Sequence, residues 1–237
     1  MAPTSRHTPY FEVRDALGES GCALCTLVSR SLTRYISSLL YESVNSPPAR
    51  QRLRDSLGLC ASHNELVREA RSASGAAIIQ RDLLKTLSTR LANNEQSGTS
   101  GWLEDLFRPP KANRGGTLTP EQLCPACVAA EERERDYVDV LLTSLDDAEM
   151  LAALRASAGL CAPHLRMALS RARGAQAERI KAEQLVIWQR LIAELDEFIR
   201  KLDYRFTHEG MGAEGDAWDR ALDLVAGKTR VMGSRVR

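Results

Sequence analysis

LRDSLGLCASH at residues 53–63 and LRASAGLCAPH at 154–164 are one phrase written twice, identical at eight of eleven positions. Each copy ends in Cys-x-x-His, and each is preceded by a Cys-x-x-Cys: CALC at 22–25 and CPAC at 124–127. The gap from pair to pair is 35 positions in the first copy (25 to 60) and 34 in the second (127 to 161). The repeat extends beyond these motifs. An offset of 102 lays Tyr35 on Tyr137, Leu39 on Leu141 and Leu40 on Leu142; after a one-residue deletion, an offset of 101 lays Arg54 on Arg155 and Gly58 on Gly159. A period this long is a duplicated module rather than a solenoid repeat.

The six cysteines all belong to the pattern, and so do two of the four histidines. Cys22, Cys25, Cys60 and His63 form one set; Cys124, Cys127, Cys161 and His164 form the other. Three thiolates and one imidazole make a closed tetrahedral set for zinc, with no position left for a substrate. Each pair falls where a helix is expected to begin, and the positive end of the helix dipole favours the thiolate that ligation needs. The expectation is therefore two zinc ions, with iron–sulfur clusters as the alternative, since soft thiolates suit both. Grouping within each module is preferred because each is complete by itself. Pairing Cys22 and Cys25 with Cys161 and His164 across the modules is the open alternative. A dithiol redox switch would use the Cys-x-x-Cys pairs and leave the Cys-x-x-His pairs idle.

Helix-forming Leu, Ala, Arg and Glu predominate, and aromatic residues are only 5%, which points to an all-α fold. The modules are read at 1–92 and 120–207, separated by a Gly-, Ser-, Asn- and Pro-rich linker at 93–119 and followed by a tail at 208–237 with a short helix. Tyr10, Phe11, Val13, Ala16 and Leu17 suggest a short element packing on the first module. The three–four apolar spacing from Cys25 to Leu39 predicts a helix over about 22–43. Pro47 and Pro48 open a short helix that Gly58 closes at a left-handed position. A long helix is then predicted from about Ser62 to Leu91. The second module repeats this plan, with its long helix reaching as far as 206. Along that helix Leu185, Trp188, Ile192, Leu195, Ile199, Leu202 and Phe206 read as a core face or helix seam, a homodimer seam being the alternative.

Other features are assigned plainer roles. EERERD at 131–136 reads as a solvated face. Arg54 and its neighbours read as ordinary surface arginines, and Arg205 as paired with a carboxylate at the module junction. Tyr35 and Tyr137 are expected in equivalent core positions. WLEDLF within the linker reads as a docked helical turn. His7 and His208 carry no assigned role. A net charge of +1 with scattered arginines argues against nucleic-acid binding, kept as a third reading. No apolar run approaches a membrane span, and the N-terminal residues lack a secretory core, so a cytoplasmic location is expected.

CALC, GLCASH, CPAC and GLCAPH, followed by LDEFIRKLDYRF and DAWDRAL, resemble an uncharacterised bacterial family catalogued as domain of unknown function sixty-sixty-two. The resemblance covers about residues 10–226. It supports the two-module architecture and the ligand set, and implies no activity. The reading is a structural-zinc helical protein acting as an interaction or regulatory scaffold for a protein partner; no Ser/His/Asp arrangement, phosphate loop or carboxylate pair stands in a context that catalysis requires, which leans away from an enzyme without deciding the question.

Overall fold

The computed structural model describes residues 7–96, 118–228 and 231. Among these are ten α-helices, two short 3₁₀ turns and no strand. The helices are α1 (Thr8–Leu17), α2 (Ala23–Tyr41), α3 (Pro47–Asp55), α4 (Ala61–Glu69), α5 (Ala73–Gln96), α6 (Pro125–Thr143), α7 (Ala148–Ala156), α8 (Ala162–Arg171), α9 (Ala175–Lys201) and α10 (Ala217–Ala226). Two pairs of repeat-related helices are equal in length. Helices α2 and α6 have 19 residues each, and α3 and α7 have 9 each.

Each predicted long helix is two helices. The first stops at Ala70, where Arg71 takes a positive φ of 50°, and restarts at Ala73. The second stops at Arg171, turns through Gly174 at φ 54°, and restarts at Ala175, ending at Lys201 rather than near 206. The terminus of α3 also differs in detail. Leu57, not Gly58, occupies the left-handed C′ position at φ 53°; its N–H bonds the Arg54 carbonyl at 3.2 Å, and Gly58 N–H bonds the Leu53 carbonyl at 2.7 Å. Gly58 follows with its own positive φ of 98°. The second copy ends differently: Ser157 is extended, and its Oγ accepts the Gly159 N–H at 2.9 Å.

Spatially the chain forms two compact units, each drawing on both halves of the sequence. One combines the residues up to Ser31 with those from Ala130; the other contains Leu32–Ala129. In the first unit, α1 packs on α7, and Tyr10 Oη donates to Asp147 Oδ1 at 2.7 Å. The N-terminal element therefore packs on the second copy's short helix, not on the first module as expected. Asp147 also caps α7 by accepting the backbone N–H groups of Glu149 and Met150. Val13, Leu17, Leu24, Val28, Leu141, Met150, Leu154 and Ile180 are among the buried side chains of this unit. Burial of each such aliphatic side chain contributes about 1.5–3 kcal/mol relative to exposure.

In the second unit α3 packs on α5, with Leu32, Ile36, Leu40, Leu53, Leu66, Ile79 and Leu83 buried. Gly75 lets α5 approach α2: a Cβ there would stand 2.4 Å from the Leu40 carbonyl oxygen.

Several side chains depart from the sequence reading. Arg54 forms a two-pronged ion pair with Asp82, Nε–Oδ2 2.9 Å and Nη2–Oδ1 2.8 Å, tying α3 to α5. Arg155 makes the corresponding fork with Glu183, at 2.8 and 2.6 Å, tying α7 to α9. The repeated Arg thus ties the short helix of each copy to a long one by an ion pair. Arg205 pairs with Asp203, two residues away, rather than with a distant carboxylate. Tyr137 is buried whereas Tyr35 is half-buried, so the two tyrosines are not equivalent. The stripe of α9 is also displaced. Ile180, Gln184 and Ile187 face inward, and Leu185, Ile192, Ile199 and Leu202 are exposed. Seven-residue spacing reveals a stripe but not the rotation of the helix on its support. WLEDLF lies outside the described residues.

Candidate metal centres

The eight sequence-selected ligands gather into two clusters, and each cluster crosses the sequence modules. Cys22, Cys25, Cys161 and His164 form one, within the first compact unit; Cys60, His63, Cys124 and Cys127 form the other, within the second. This corrects the preferred grouping: each Cys-x-x-Cys meets the Cys-x-x-His of the opposite copy. The physical reason is helix placement. The start of α2 packs beside the start of α8, and the start of α6 beside that of α4.

Local structure aims the ligands. Cys22 immediately precedes α2 and Cys25 lies in its first turn; Cys124 and Cys127 stand the same way at α6. Cys60 and Cys161 are the N-cap residues of α4 and α8, both with extended backbone, and His63 and His164 occupy the following turn. A three-residue step at a helix start brings both side chains to one side, and the dipole there stabilises negative sulfur.

The edge lengths match a single tetrahedral ion. With metal–sulfur bonds near 2.3 Å and metal–nitrogen bonds near 2.0–2.1 Å, tetrahedral geometry requires S···S separations of about 3.8 Å and S···N of about 3.6 Å. In the first cluster His164 Nδ1 lies 3.5, 3.5 and 3.1 Å from the sulfurs of Cys22, Cys25 and Cys161, and Cys25 Sγ lies 3.7 Å from Cys161 Sγ. In the second, His63 Nδ1 lies 3.3, 3.5 and 3.5 Å from Cys60, Cys124 and Cys127, and Cys60 Sγ lies 3.8 Å from Cys127 Sγ. All six cysteines are free thiols. A disulfide would need the sulfurs at about 2.05 Å. The first cluster is fully buried, and the second is buried except for a half-buried Cys60.

Such crowding is electrostatically unfavourable for bare thiolates, and either protons or a metal cation relieves it. Burial raises the Cys22 thiol, but hydrogen bonds from Cys161, Cys25 and His164 outweigh it and bring it well below its ordinary value. Cys161, next to Cys22 and Cys25, is pushed strongly upward instead, and Cys124 rises beside Cys127. Burial works against protonation of His164, yet Cys22, Cys25 and Glu134 carry it up to about 11. One divalent ion can replace the protons these groups otherwise share, so metal uptake releases protons.

Glu134 is a residue the sequence reading missed. It lies inside the charged run assigned to a solvated face. Arg135 pairs there with Glu131, and Arg133 with Asp136, both on the exposed side as expected. Glu134 instead is only 2% exposed and sets Oε1 3.4 Å from His164 Nε2. The spacing along α6 contains the signal: Glu134 falls on the buried side with Cys127, Ala130, Tyr137, Val138 and Leu141.

Among the described residues no helix is long and apolar enough to cross a membrane. A protein from Caldicellulosiruptor sp. (strain Rt8B.4), named as an uncharacterized 23.9 kDa protein in the xynA 3' region, is 26% identical over 219 residues, covering 88% of this chain and 96% of its own length. No solved structure matches. Residues 8–232 match the family described as Family of unknown function (DUF6062), and with nearly the whole length matched, the chain belongs to that family.

Proposed function

We propose that the protein is a structural metal protein that holds two zinc ions, one per cluster, and acts as an interaction or regulatory scaffold rather than an enzyme. The observation that carries the reading is the convergence of three sulfurs and one imidazole nitrogen, at tetrahedral edge lengths, in both clusters. Four protein ligands fill the coordination shell of zinc and leave no position for a reacting water. The same distances favour a single ion over an iron–sulfur cluster, whose ligands bind different iron atoms around a cubane instead of one point. A redox dithiol would need only the cysteine pairs; here every pair is completed by a third sulfur and a histidine. A cytoplasmic setting, where thiols stay reduced, suits ligation.

The test is elemental analysis of the native protein together with melting before and after chelation. About two zinc ions per chain and a marked loss of stability on chelation are expected, because ion binding is coupled to folding at such sites. A brown protein containing iron and acid-labile sulfide would overturn the zinc assignment. A metal-dependent hydrolytic or transfer activity would overturn the structural role.

A further inference from the structure

We propose that Glu134 is a positioning residue for His164, holding the imidazole so that Nδ1 faces the metal while Nε2–H is directed to the carboxylate. The inference rests on the metal reading above and extends it to a residue outside the ligand motifs.

The two faces of the ring have different surroundings. Nδ1 lies 3.1–3.5 Å from three sulfurs. Nε2 is buried and makes no hydrogen bond of regular geometry, but Glu134 Oε1 stands 3.4 Å away. His164 is 1% exposed and Glu134 2%, so water does not compete for the contact. A buried carboxylate is costly unless a donor or cation faces it. If Nδ1 ligates, the ring's remaining proton must sit on Nε2, on the Glu134 side. A small closing of the 3.4 Å gap then gives a charge-assisted hydrogen bond. A carboxylate behind a ligating histidine fixes its tautomer and raises its basicity.

The feature belongs to one copy of the repeat. The offset of 102 that aligns Tyr35 with Tyr137 aligns Leu32 with Glu134. Leucine has no acceptor, so a contribution from this helix position is confined to the Cys22–Cys25–Cys161–His164 site.

The experiment compares the zinc-loaded full chain with Glu134→Leu and Glu134→Gln by stepwise chelator competition, counting ions released. Long-range ¹H–¹⁵N spectra of the histidines report their tautomers. In Glu134→Leu, one of the two ions is expected to bind about 10–100-fold more weakly, with the other unchanged. The metal keeps the His164 proton on Nε2 in every variant, but its Nε2–H resonance is expected to move upfield once the carboxylate acceptor is gone. Glu134→Gln keeps an acceptor without the charge, and should weaken the same ion by about tenfold, near the lower end of such effects. Unchanged release of both ions in either folded variant overturns the proposal, as does equal weakening of both, which would mark a general packing effect. If the leucine variant does not fold, the glutamine variant decides alone by the same criteria. A wild-type chain that binds no ion overturns the metal reading itself, which is a separate result.

Discussion

The crossed ligand grouping makes an expectation in whole numbers. Cys25 shares a cluster with Cys161, 136 positions away, and not with Cys60. Replacing Cys25 and Cys161 together by Ala should remove one ion and leave the other. Replacing Cys25 and Cys60 should remove both. Grouping within the modules would give the reverse. The energetics can be worked from the chain separations. Treated as a cross-link, a metal tie closing a loop of 136 residues limits the unfolded chain by about 5 kcal/mol, and the 67-residue tie between Cys60 and Cys127 by about 4 kcal/mol. At roughly 2–4 °C per kcal/mol for a chain of this size, either single loss lowers the melting temperature by about 10–20 °C. The same-cluster double variant should melt within a few degrees of its single parents, because the second change removes a ligand from a site already lost. The different-cluster double variant loses about 9 kcal/mol, comparable with the whole stability of an ordinary domain, and should unfold near room temperature. Gel filtration, elemental analysis and thermal melting followed by circular dichroism read these outcomes. One retained ion in Cys25→Ala/Cys60→Ala, with none in Cys25→Ala/Cys161→Ala, would refute the reasoning.

Gly75→Ala should destabilise the protein by about 1–3 kcal/mol, since the new methyl group meets a backbone carbonyl and the helices must separate; urea unfolding measures it. Arg155→Ala should cost less, about 0.5–1 kcal/mol, because its fork with Glu183 is partly solvated; a larger loss in the same assay would mean that the fork sets the position of α9. Glu214 offers a pH test. The Gly212 N–H and the Lys201 ammonium, at 2.8 and 2.7 Å, hold its carboxyl down from 4.5 to about 2. A depressed folded value means the contribution is complete above 4.5 and fades as pH falls toward about 2. Glu214→Gln should therefore lower stability near neutrality and show a shallower decline across that interval, measured as the difference from wild type in acid titrations.

Much of the local architecture was legible because it is written in short-range chemistry. Pro47 and Pro163 suit helix starts, and the structure begins α3 at Pro47 and α8 at Ala162. All six cysteines and both motif histidines were selectable from type and spacing, and their placement at helix starts follows from the same signals. The breaks at Arg71 and Gly174 were harder. RARGAQ contains a glycine that permits the turn, but Arg71 adopts a positive φ against its own preference, where α4 gives way to α5.

The sequence by itself determined which residues could bind metal, how many sites they could fill, and that the chain is helical and duplicated in pattern. These depend on residue type and near neighbours. The tertiary structure decided which pair completes which site and that Glu134, among four acidic and two basic residues in a row, turns inward to His164. A gap of 35 residues allows either pairing, and a charge run does not say which member faces a partner helix. Only the meeting of the start of α2 with that of α8, and of the start of α6 with that of α4, resolves those choices, because side chains far apart in the chain acquire a common neighbour only when the helices are placed.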